Sequence, residues 1–354
     1  MNQPLRPYLE YQADRVEALL AAHRTPAHIT GGTVGPRLIR FFLNPAPQIR
    51  FATIRNLADD LALALQVPQL HVQRTSDGIV LEFANPDPRP LDLLTLLPTV
   101  APLPPATALL GLTDDGRPLL ARLAAPDVAH VLIAGTTGSG KSQLLRTLAA
   151  SLVLTQPPAA LQLLCLDPKG RTFGPLRHAP HLARPIITTP EEAGEALHSL
   201  VRLMELRDRR GEAAPRLVVL LDELADWLFL APGLTEPLTR LAQRGREAGI
   251  HVVAATQRPS AALLSPLLRA NFPLRLVGKV VSPEDARAAA GCGGTEAHLL
   301  QGRGDFLAVG PTPQPLRFQV ARISEPELTR AFPAPPRAPL ALPGPLAAVW
   351  RGAR

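Results

Sequence analysis

The sequence predicts an α/β fold with a mainly parallel sheet, preceded by a small α+β domain. Three observations favour it. From Val128 onward, short apolar strands alternate with helices. A glycine-rich turn joins the first of these strands to a helix, and a later strand ends in two adjacent carboxylates. Strands that are apolar nearly throughout are expected where helices cover both faces of a parallel sheet.

The predicted parallel strands span residues 130–134, 161–166, 216–221, 250–255 and 274–280. Two intervening helices have clear start signals. Thr189 is a predicted N-cap, with Pro190 at the first helical position and Glu192 completing a capping box. Ser282 opens a second helix in the same way.

The amino-terminal third predicts a smaller unit. Helical spacing covers residues 8–23 and 54–65, and strands are predicted at 36–43, 69–73 and 79–83, the last two joined by a turn at 76–78. Clustered prolines then indicate a linker and a tail. The predicted domains are a helix at 1–28, the α+β domain at 29–85, a linker at 86–110, the α/β domain at 111–323 and a tail at 324–354.

Composition sets only broad limits. The 354 residues carry a formal charge of +7, which weakly favours a polyanionic partner. Cys165 and Cys292 fit neither a metal site nor a disulfide framework, which indicates a reducing compartment. Charged residues interrupt the amino terminus, and no apolar run reaches the ~18 residues that span a bilayer. We therefore expect a cytoplasmic protein that does not bind a membrane by itself.

The glycine-rich turn has the full pattern G-x-x-x-x-G-K-[ST] between a strand and an amphipathic helix. Glycines let backbone amides surround phosphate oxygens, and the helix amino terminus adds its dipole. The predicted ATP-binding residues are Gly135, Thr136, Thr137, Gly138, Ser139, Gly140, Lys141 and Ser142. Lys141 would reach the β- and γ-phosphates, and the Ser142 hydroxyl would bind Mg²⁺. The alternative is a glycine-rich turn with an incidental lysine.

The strand at 216–221 ends in Asp222 and Glu223, at the edge where ligands bind in open α/β sheets. Asp222 is the predicted second ligand of Mg²⁺, and Glu223 the general base that activates water. A solvated acidic loop is the alternative. Gln257 ends the next strand and could contact the γ-phosphate or the water, although a polar residue there can also be a simple cap.

These motifs resemble the motor region of the FtsK/SpoIIIE family of DNA translocases, within the FtsK–HerA group of RecA-like P-loop ATPases. The resemblance rests on HVLIAGTTGSGKS (130–142), LDPKG (166–170), VVLLDELAD (218–226), RLAQRGREAGIHVVAATQRPS (240–260), LLRANFPLRL (267–276) and GRGDFL (302–307). GPRLIRFFLNPAP (35–47) and IRNLADDLALAL (54–65) are similar to the small domain that precedes the motor in that family.

The resemblance implies a hexameric ring with ATP between subunits and double-stranded DNA in the bore. Such rings need an arginine supplied by the neighbouring subunit. Arg246 is the first candidate, ahead of Arg244 and Arg275. A single arginine on a helix can also be an ordinary solvated residue.

The sequence departs from the family in three places. We expect no membrane-spanning amino-terminal region and, after Ile323, no winged-helix reader of DNA sequence. The long excursion between Arg210 and Arg216 is reduced to GEAAP. That excursion helps to contact DNA in the family, so its loss leaves the mode of DNA binding open.

A motor that tracks any sequence should contact phosphates rather than bases. The predicted DNA-binding residues are Lys169, Arg171, Arg207, Arg209 and Arg210. A solvated basic surface explains them as well. Aromatic residues make up 4% of the chain and do not alternate with basic ones, which argues against a stacking platform for single strands.

Three other functions fit the same motifs. Related ATPases move proteins in type VII secretion, and others handle single-stranded DNA as conjugative coupling proteins. A nucleotide-gated DNA-binding scaffold would use ATP to build a ring with little turnover. The complete Asp222–Glu223 pair argues against the scaffold, while the shortened excursion keeps the cargo open.

Overall fold

The computed structural model describes residues 5–75, 78–88, 90–257, 266–310 and 314–333. The chain divides into two compact units. The smaller contains the described residues up to Pro90 together with Asp114–Gly116, and the larger contains the others. Within the described residues, no helix is both long enough and apolar enough to cross a membrane.

The smaller unit packs helices against one sheet. Its elements are α1 (Leu5–Ala22), β1 (Ala27–Val34), β2 (Leu38–Pro45), α2 (Phe51–Asn56), α3 (Ala58–Leu65), β3 (Leu70–Thr75) and β4 (Gly78–Ala84). In the described residues the four strands form an antiparallel sheet in the order β1-β2-β4-β3. This confirms the predicted α+β character.

The smaller unit differs in detail from the prediction. Helix α1 buries Val16 and Leu20 in the same core as Ile39 of β2, so residues 1–28 do not stand apart from 29–85. Strand β1 was not predicted, because its sequence AHITGGTV contains two glycines, which weaken a strand pattern. The single predicted helix at 54–65 is divided at Leu57, whose backbone leaves the helical region.

The larger unit begins with four strands and two helices around the glycine-rich turn: α4 (Leu93–Val100), β5 (Thr107–Thr113), β6 (Pro118–Arg122), β7 (Val131–Ala134), α5 (Lys141–Thr155) and β8 (Leu161–Leu166). It continues with α6 (Pro190–Arg210), β9 (Arg216–Leu221), α7 (Leu224–Leu230), α8 (Thr235–Arg244), β10 (Ile250–Thr256), α9 (Pro266–Ala270), β11 (Leu274–Gly278), α10 (Pro283–Ala290), β12 (Asp305–Val309), β13 (Leu316–Val320) and α11 (Glu325–Ala331). Thr189 and Ser282 cap α6 and α10 as predicted.

The described strands of the larger unit form one nine-stranded sheet in the order β6-β5-β13-β12-β11-β7-β10-β9-β8. The half from β11 to β8 is parallel and contains all five predicted strands. The half from β12 to β6 is antiparallel. The sheet is therefore mixed rather than mainly parallel.

Helices cover both faces of the parallel half. Helix α5 places Leu144 and Leu148 in the core on one face. On the other face, α6 and α8 bury Leu200 and Leu241. This two-sided burial is the physical reason that the five parallel strands are apolar along most of their length.

The predicted linker at 86–110 is not a linker through most of its length. Helix α4 starts at the N-cap Asp92 and buries Leu93 and Leu97 in the larger core. Strand β5 pairs with β13. The tail predicted from residue 324 begins with α11, which has a capping box of Ser324 and Glu327. High proline content was misleading here, because α4 accommodates Pro98 on the exposed side of a helix that still buries Leu93 and Leu97.

Two buried histidines lie near the amino ends of the central strands. The Nδ1 atom of His130 accepts from the Val252 amide at 3.0 Å, and Nδ1 of His251 donates to the Ala129 carbonyl at 3.1 Å. Burial, followed by His251 and Arg246, lowers the pKa of His130 to about 3. Burial also lowers the pKa of His251 to about 4, although the Ala129 contact opposes the shift.

We expect these histidines to make the fold acid-sensitive. Because their folded pKa values lie below the unfolded value of about 6.5, the unfolded chain binds more protons, and stability falls as pH drops below about 6.5 toward about 3. Between pH 7 and pH 5 each histidine should cost about 2 kcal/mol. Urea unfolding of His251→Asn should show a smaller loss over this interval than the parent, whereas exposed His178→Gln should match the parent. An unchanged pH dependence in His251→Asn would contradict the assignment.

Candidate nucleotide-binding site

The glycine-rich turn lies at the carboxyl edge of the parallel strands. Residues 135–140 connect β7 to the first residue of α5, Lys141. Gly138 and Gly140 have φ values of +81° and +107°, which side chains rarely tolerate. A Cβ atom on Gly140 would lie 2.7 Å from the Gly304 nitrogen. The loop thus delivers the amino terminus of a long helix, with its free amides, to the sheet edge.

Lys141 is held over this loop. Its side chain is 6% exposed, and Nζ donates to the carbonyls of Gly135 at 2.8 Å and Thr136 at 3.0 Å. Burial lowers the pKa of Lys141, and the nearby carboxylates of Glu223 and Asp222 oppose that shift. The ammonium is therefore fixed between the loop and the acidic pair. Ser142, the next residue, is exposed on the first turn of α5.

The acidic pair follows β9, as the sequence predicted. The Asp222 carboxylate accepts from the Thr172 hydroxyl at 2.5 Å. Burial raises the pKa of Asp222, with Asp167 and Glu223 adding to the rise, while Thr172 and Lys141 oppose it. A neighbouring positive charge would stabilise the ionised form of this carboxylate.

Glu223 adopts a strained backbone, with φ at +52°, a region that non-glycine residues seldom occupy and that often marks functional sites. Glu223 is 7% exposed, and its Oε1 accepts from the backbone amide of Gln257 at 2.9 Å. The side-chain oxygen of Gln257 in turn accepts from the Thr137 hydroxyl at 2.7 Å. The end of β10 thus connects the predicted base to the glycine-rich loop.

Asp167 was missed as a site residue. It follows β8 and is fully buried, and its carboxylate accepts from the amides of Thr172 at 2.7 Å, Phe173 at 3.2 Å and Lys169 at 3.1 Å. This network shapes the turn that presents the Thr172 hydroxyl to Asp222. The signal was available, because Asp167 ends an apolar strand just as Asp222 does.

A second missed feature is a loop at 302–304 that holds the glycine-rich turn. The amides of Arg303 and Gly304 donate to the carbonyls of Gly138 at 2.9 Å and Ser139 at 2.7 Å. Behind this loop, Asp305 pairs with Arg317 through contacts of 2.7 and 2.8 Å. The antiparallel half of the sheet therefore supports the phosphate loop. The GRGDFL segment was recognised in the sequence, but no role was assigned to it.

The residue types present fit a magnesium ion. The Ser142 hydroxyl and the Asp222 carboxylate are hard oxygen donors, which Mg²⁺ prefers. In the described part of the chain, no group of three or more His, Cys, Asp and Glu side chains could hold a metal. A two-residue donor set suits a site where substrate phosphates and water supply the other ligands.

Arg246 lies at the amino-terminal ends of the parallel strands, opposite the end that carries the nucleotide site. It falls between the end of α8 and the start of β10, whereas the phosphate loop follows the carboxyl end of the neighbouring β7. The seven residues of β10 separate these edges by about 20 Å. The Arg246 side chain is 40% exposed, and its guanidinium pairs with Glu247. Arg246 is therefore remote from the nucleotide site of its own chain.

The structure does not bring the predicted DNA-binding residues together. Lys169 and Arg171 are exposed beyond β8 at the carboxyl edge, whereas Arg209 and Arg210 are exposed at the end of α6, ahead of β9. Arg207 is a correction: it is 2% exposed and donates to the carbonyls of Ala248 at 2.8 Å and Pro215 at 2.7 Å. Its guanidinium fixes the shortened loop and does not face a ligand.

The other two candidates for the trans arginine are also engaged. Arg244 pairs with Asp208 at 2.7 Å on the surface. Arg275 is half-buried and donates to the Arg269 carbonyl at 3.0 Å.

Comparison with protein families matches both units. The FtsK/SpoIIIE family matches residues 102–212 and 205–261. The FtsK alpha domain matches residues 2–83. The second match corresponds to the smaller unit, and the first covers the phosphate loop and the acidic pair.

Two relatives from Bacillus subtilis (strain 168) illustrate the similarity. DNA translocase SftA is 34% identical over 91% of this chain and 37% of its own length. DNA translocase SpoIIIE is 32% identical over 90% of this chain and 44% of its own length. The chain thus spans less than half the length of these relatives.

Solved structures share the fold. The pCW3 conjugation coupling protein TcpA, in a monomer form with ATPγS, has a TM-score of 0.62 and 19% identity over 91% of this chain and 99% of its own. The cytoplasmic domain of the type VII secretion ATPase EccC from Thermomonospora curvata has a TM-score of 0.56 and 29% identity over 66% of this chain and 30% of its own. The predicted RecA-like P-loop fold is confirmed.

Proposed function

Since this chain belongs to the FtsK/SpoIIIE family, we propose that it hydrolyses ATP between the subunits of a ring and uses the energy to move double-stranded DNA. The observation that carries this proposal is the convergence of Lys141, Asp222 and Glu223 at one sheet edge. Positive charge, a metal-binding carboxylate and a general base are the three groups that ATP hydrolysis requires.

Residues 135–142 form the triphosphate site. Lys141, now donating to loop carbonyls, is the group that would reach the β- and γ-phosphates. Mg²⁺, when bound by Ser142 and Asp222, would neutralise charge on the phosphate oxygens. The loop at 302–304 stabilises the conformation of the glycine-rich turn through its hydrogen bonds to Gly138 and Ser139.

Glu223 is the proposed catalytic base. The Gln257 amide orients its carboxylate, and the buried setting keeps competing water away from it. Gln257 also contacts Thr137 in the phosphate loop, so its side chain is well placed to respond to the γ-phosphate. A change at that phosphate would then pass to the end of β10.

A ring explains the position of Arg246. In a head-to-tail assembly each subunit uses one surface to contact a different surface of its neighbour. Such an assembly forms a ring when the rotation between neighbours closes on itself. Arg246 would then stabilise charge in the neighbouring site, and the family resemblance favours six subunits. Double-stranded DNA in the bore would meet Lys169, Arg171, Arg209 or Arg210, whose exposed charges suit phosphate contacts. We propose a cytoplasmic location, as expected for this cargo.

The cargo can be tested by its effect on ATP turnover. Double-stranded DNA should stimulate the ATPase, and the logarithm of the DNA-binding constant should fall linearly with the logarithm of salt concentration. Each phosphate contact should contribute about 0.9 to that slope. Turnover is compared with duplex, single-stranded DNA and no DNA.

Two matched double variants locate the contacts. One combines Lys169→Gln with Arg171→Gln, and the other combines Arg209→Gln with Arg210→Gln. The pair that lines the bore should reduce the salt slope by about 2, and the other pair should leave it unchanged. A flat salt response would exclude DNA as the cargo. Stronger stimulation by single strands would instead favour a coupling function.

A further inference from the structure

The larger unit contains a cleft of about 530 Å³ between α9, the start of β11 and α10. Its charged lining residues are Arg269, Arg275, Glu284 and Arg287. Arg275 is the second residue of β11, whereas the phosphate loop lies beyond the opposite end of the adjacent parallel strand β7. The cleft is therefore separate from the nucleotide site of the same chain.

One arginine of this cleft, Arg275, is held in place by the fold. Arg275 donates to the carbonyls of Arg269 at 3.0 Å and Ala289 at 3.5 Å. Gly291 makes room for its guanidinium, because a Cβ atom at that position would overlap it. The φ of +76° at Gly291 also favours glycine. Such preorganisation lowers the entropic cost of binding a ligand.

The positive charge of the cleft is not compensated within it. The Nε atom of Arg269 is buried without a hydrogen-bond partner among the described residues. Burial, and then the like charge of Arg269, lowers the pKa of Arg275. Three arginines and one glutamate give the lining a formal charge of +2. Arg269 and Arg275 are half-buried, and two such guanidinium groups that repel each other are stabilised by an anion between them.

We propose that this cleft binds a dianionic phosphate group, either inorganic phosphate or a terminal phosphate monoester. A phosphate monoester carries a charge of about −1.5 to −2 at pH 7, which matches the lining. Planar guanidinium groups bind its oxygens in a bidentate manner. A carboxylate or a phosphodiester carries one negative charge and would leave the cleft positive. The site is independent of the function proposed above.

The test uses inorganic phosphate as the probe in isothermal titration calorimetry. The full chain carries Lys141→Ala, which weakens phosphate binding at the glycine-rich loop. Titration should show binding with one-to-one stoichiometry. Adding Arg269→Gln should weaken it at least tenfold, since one charge-assisted contact is lost. Adding Arg330→Gln, which removes an exposed arginine on α11, should not change it.

Arg287→Gln provides a second variant, in case Arg269→Gln disturbs the packing of α9, and it should also weaken binding. Absence of phosphate binding to the Lys141→Ala protein would overturn the proposal. It would also be overturned if adding Arg269→Gln or Arg287→Gln left phosphate binding as tight as in the Lys141→Ala protein. Duplexes with 5′-phosphate or 5′-hydroxyl ends separate the sources. Tighter binding of the phosphorylated duplex that disappears in Arg269→Gln identifies a DNA end, whereas equal binding of the two duplexes identifies free phosphate.

Discussion

Replacement of Glu223 by glutamine is expected to leave ATP binding intact and to lower kcat for hydrolysis by about 10²–10⁴-fold. Glutamine keeps an oxygen that can accept from the Gln257 amide, the contact that orients the side chain at 2.9 Å. It cannot take a proton from water. The loss should therefore appear in the chemical step and not in the geometry of the site.

Lys141→Ala is the matched variant, because it removes charge from the phosphate loop and leaves the acidic pair in place. It should lose nucleotide affinity itself. Fluorescent nucleotide titration measures Kd, and phosphate release measures kcat, for both proteins. Hydrolysis by Glu223→Gln at the parent rate would show that another group is the base. Parent-like affinity in Lys141→Ala would remove the loop from the mechanism.

The parallel half of the sheet could be predicted because its signal is local. The strands β8 and β9 coincide with their predicted bounds, since burial on both faces makes nearly every residue apolar. The antiparallel half could not be predicted in this way. Strand β13 pairs with β5, which lies about 200 residues earlier in the chain, and no local pattern records such a partner.

The site shows the same division. The glycine-rich loop and the acidic pair are contiguous motifs, so their residues could be named from the sequence. The contact of Thr172 with Asp222 and the support of Gly138 by Arg303 depend on segments that meet only after folding. The GRGDFL segment was noted in the sequence and Thr172 lies just beyond LDPKG, but neither pattern offers a means of assigning a partner.

Arg207 shows why charge alone is a weak guide to a binding surface. Its helix position and its basic neighbours suggested a DNA contact. In the folded chain its guanidinium donates to the carbonyls of Pro215 and Ala248, which lie in two separate loops. A buried arginine whose guanidinium donates to backbone carbonyls stabilises a loop instead of binding a ligand.

Replacement of Arg246 by alanine is expected to lower kcat for DNA-stimulated ATP hydrolysis by about 10³–10⁵-fold, the effect of losing an arginine that neutralises transition-state charge. ATP affinity should change little, because Arg246 lies at the sheet edge opposite the phosphate loop. Arg244→Ala is the matched control, since Arg244 is two residues away and pairs with Asp208. It should keep near-normal turnover.

Mixing variants shows whether Arg246 acts on a neighbouring subunit. Arg246→Ala retains the base, and Glu223→Gln retains the arginine. In randomly mixed rings roughly a quarter of the interfaces would join an intact Glu223 to an intact Arg246 of the next subunit. Turnover of an equal mixture should therefore exceed that of either variant alone by a wide margin. If Arg246 acted within its own chain, no mixed interface would be complete and turnover would equal the average of the two variants. Recovery on mixing would thus connect the strand-edge position of Arg246 to both the ring and its catalytic role.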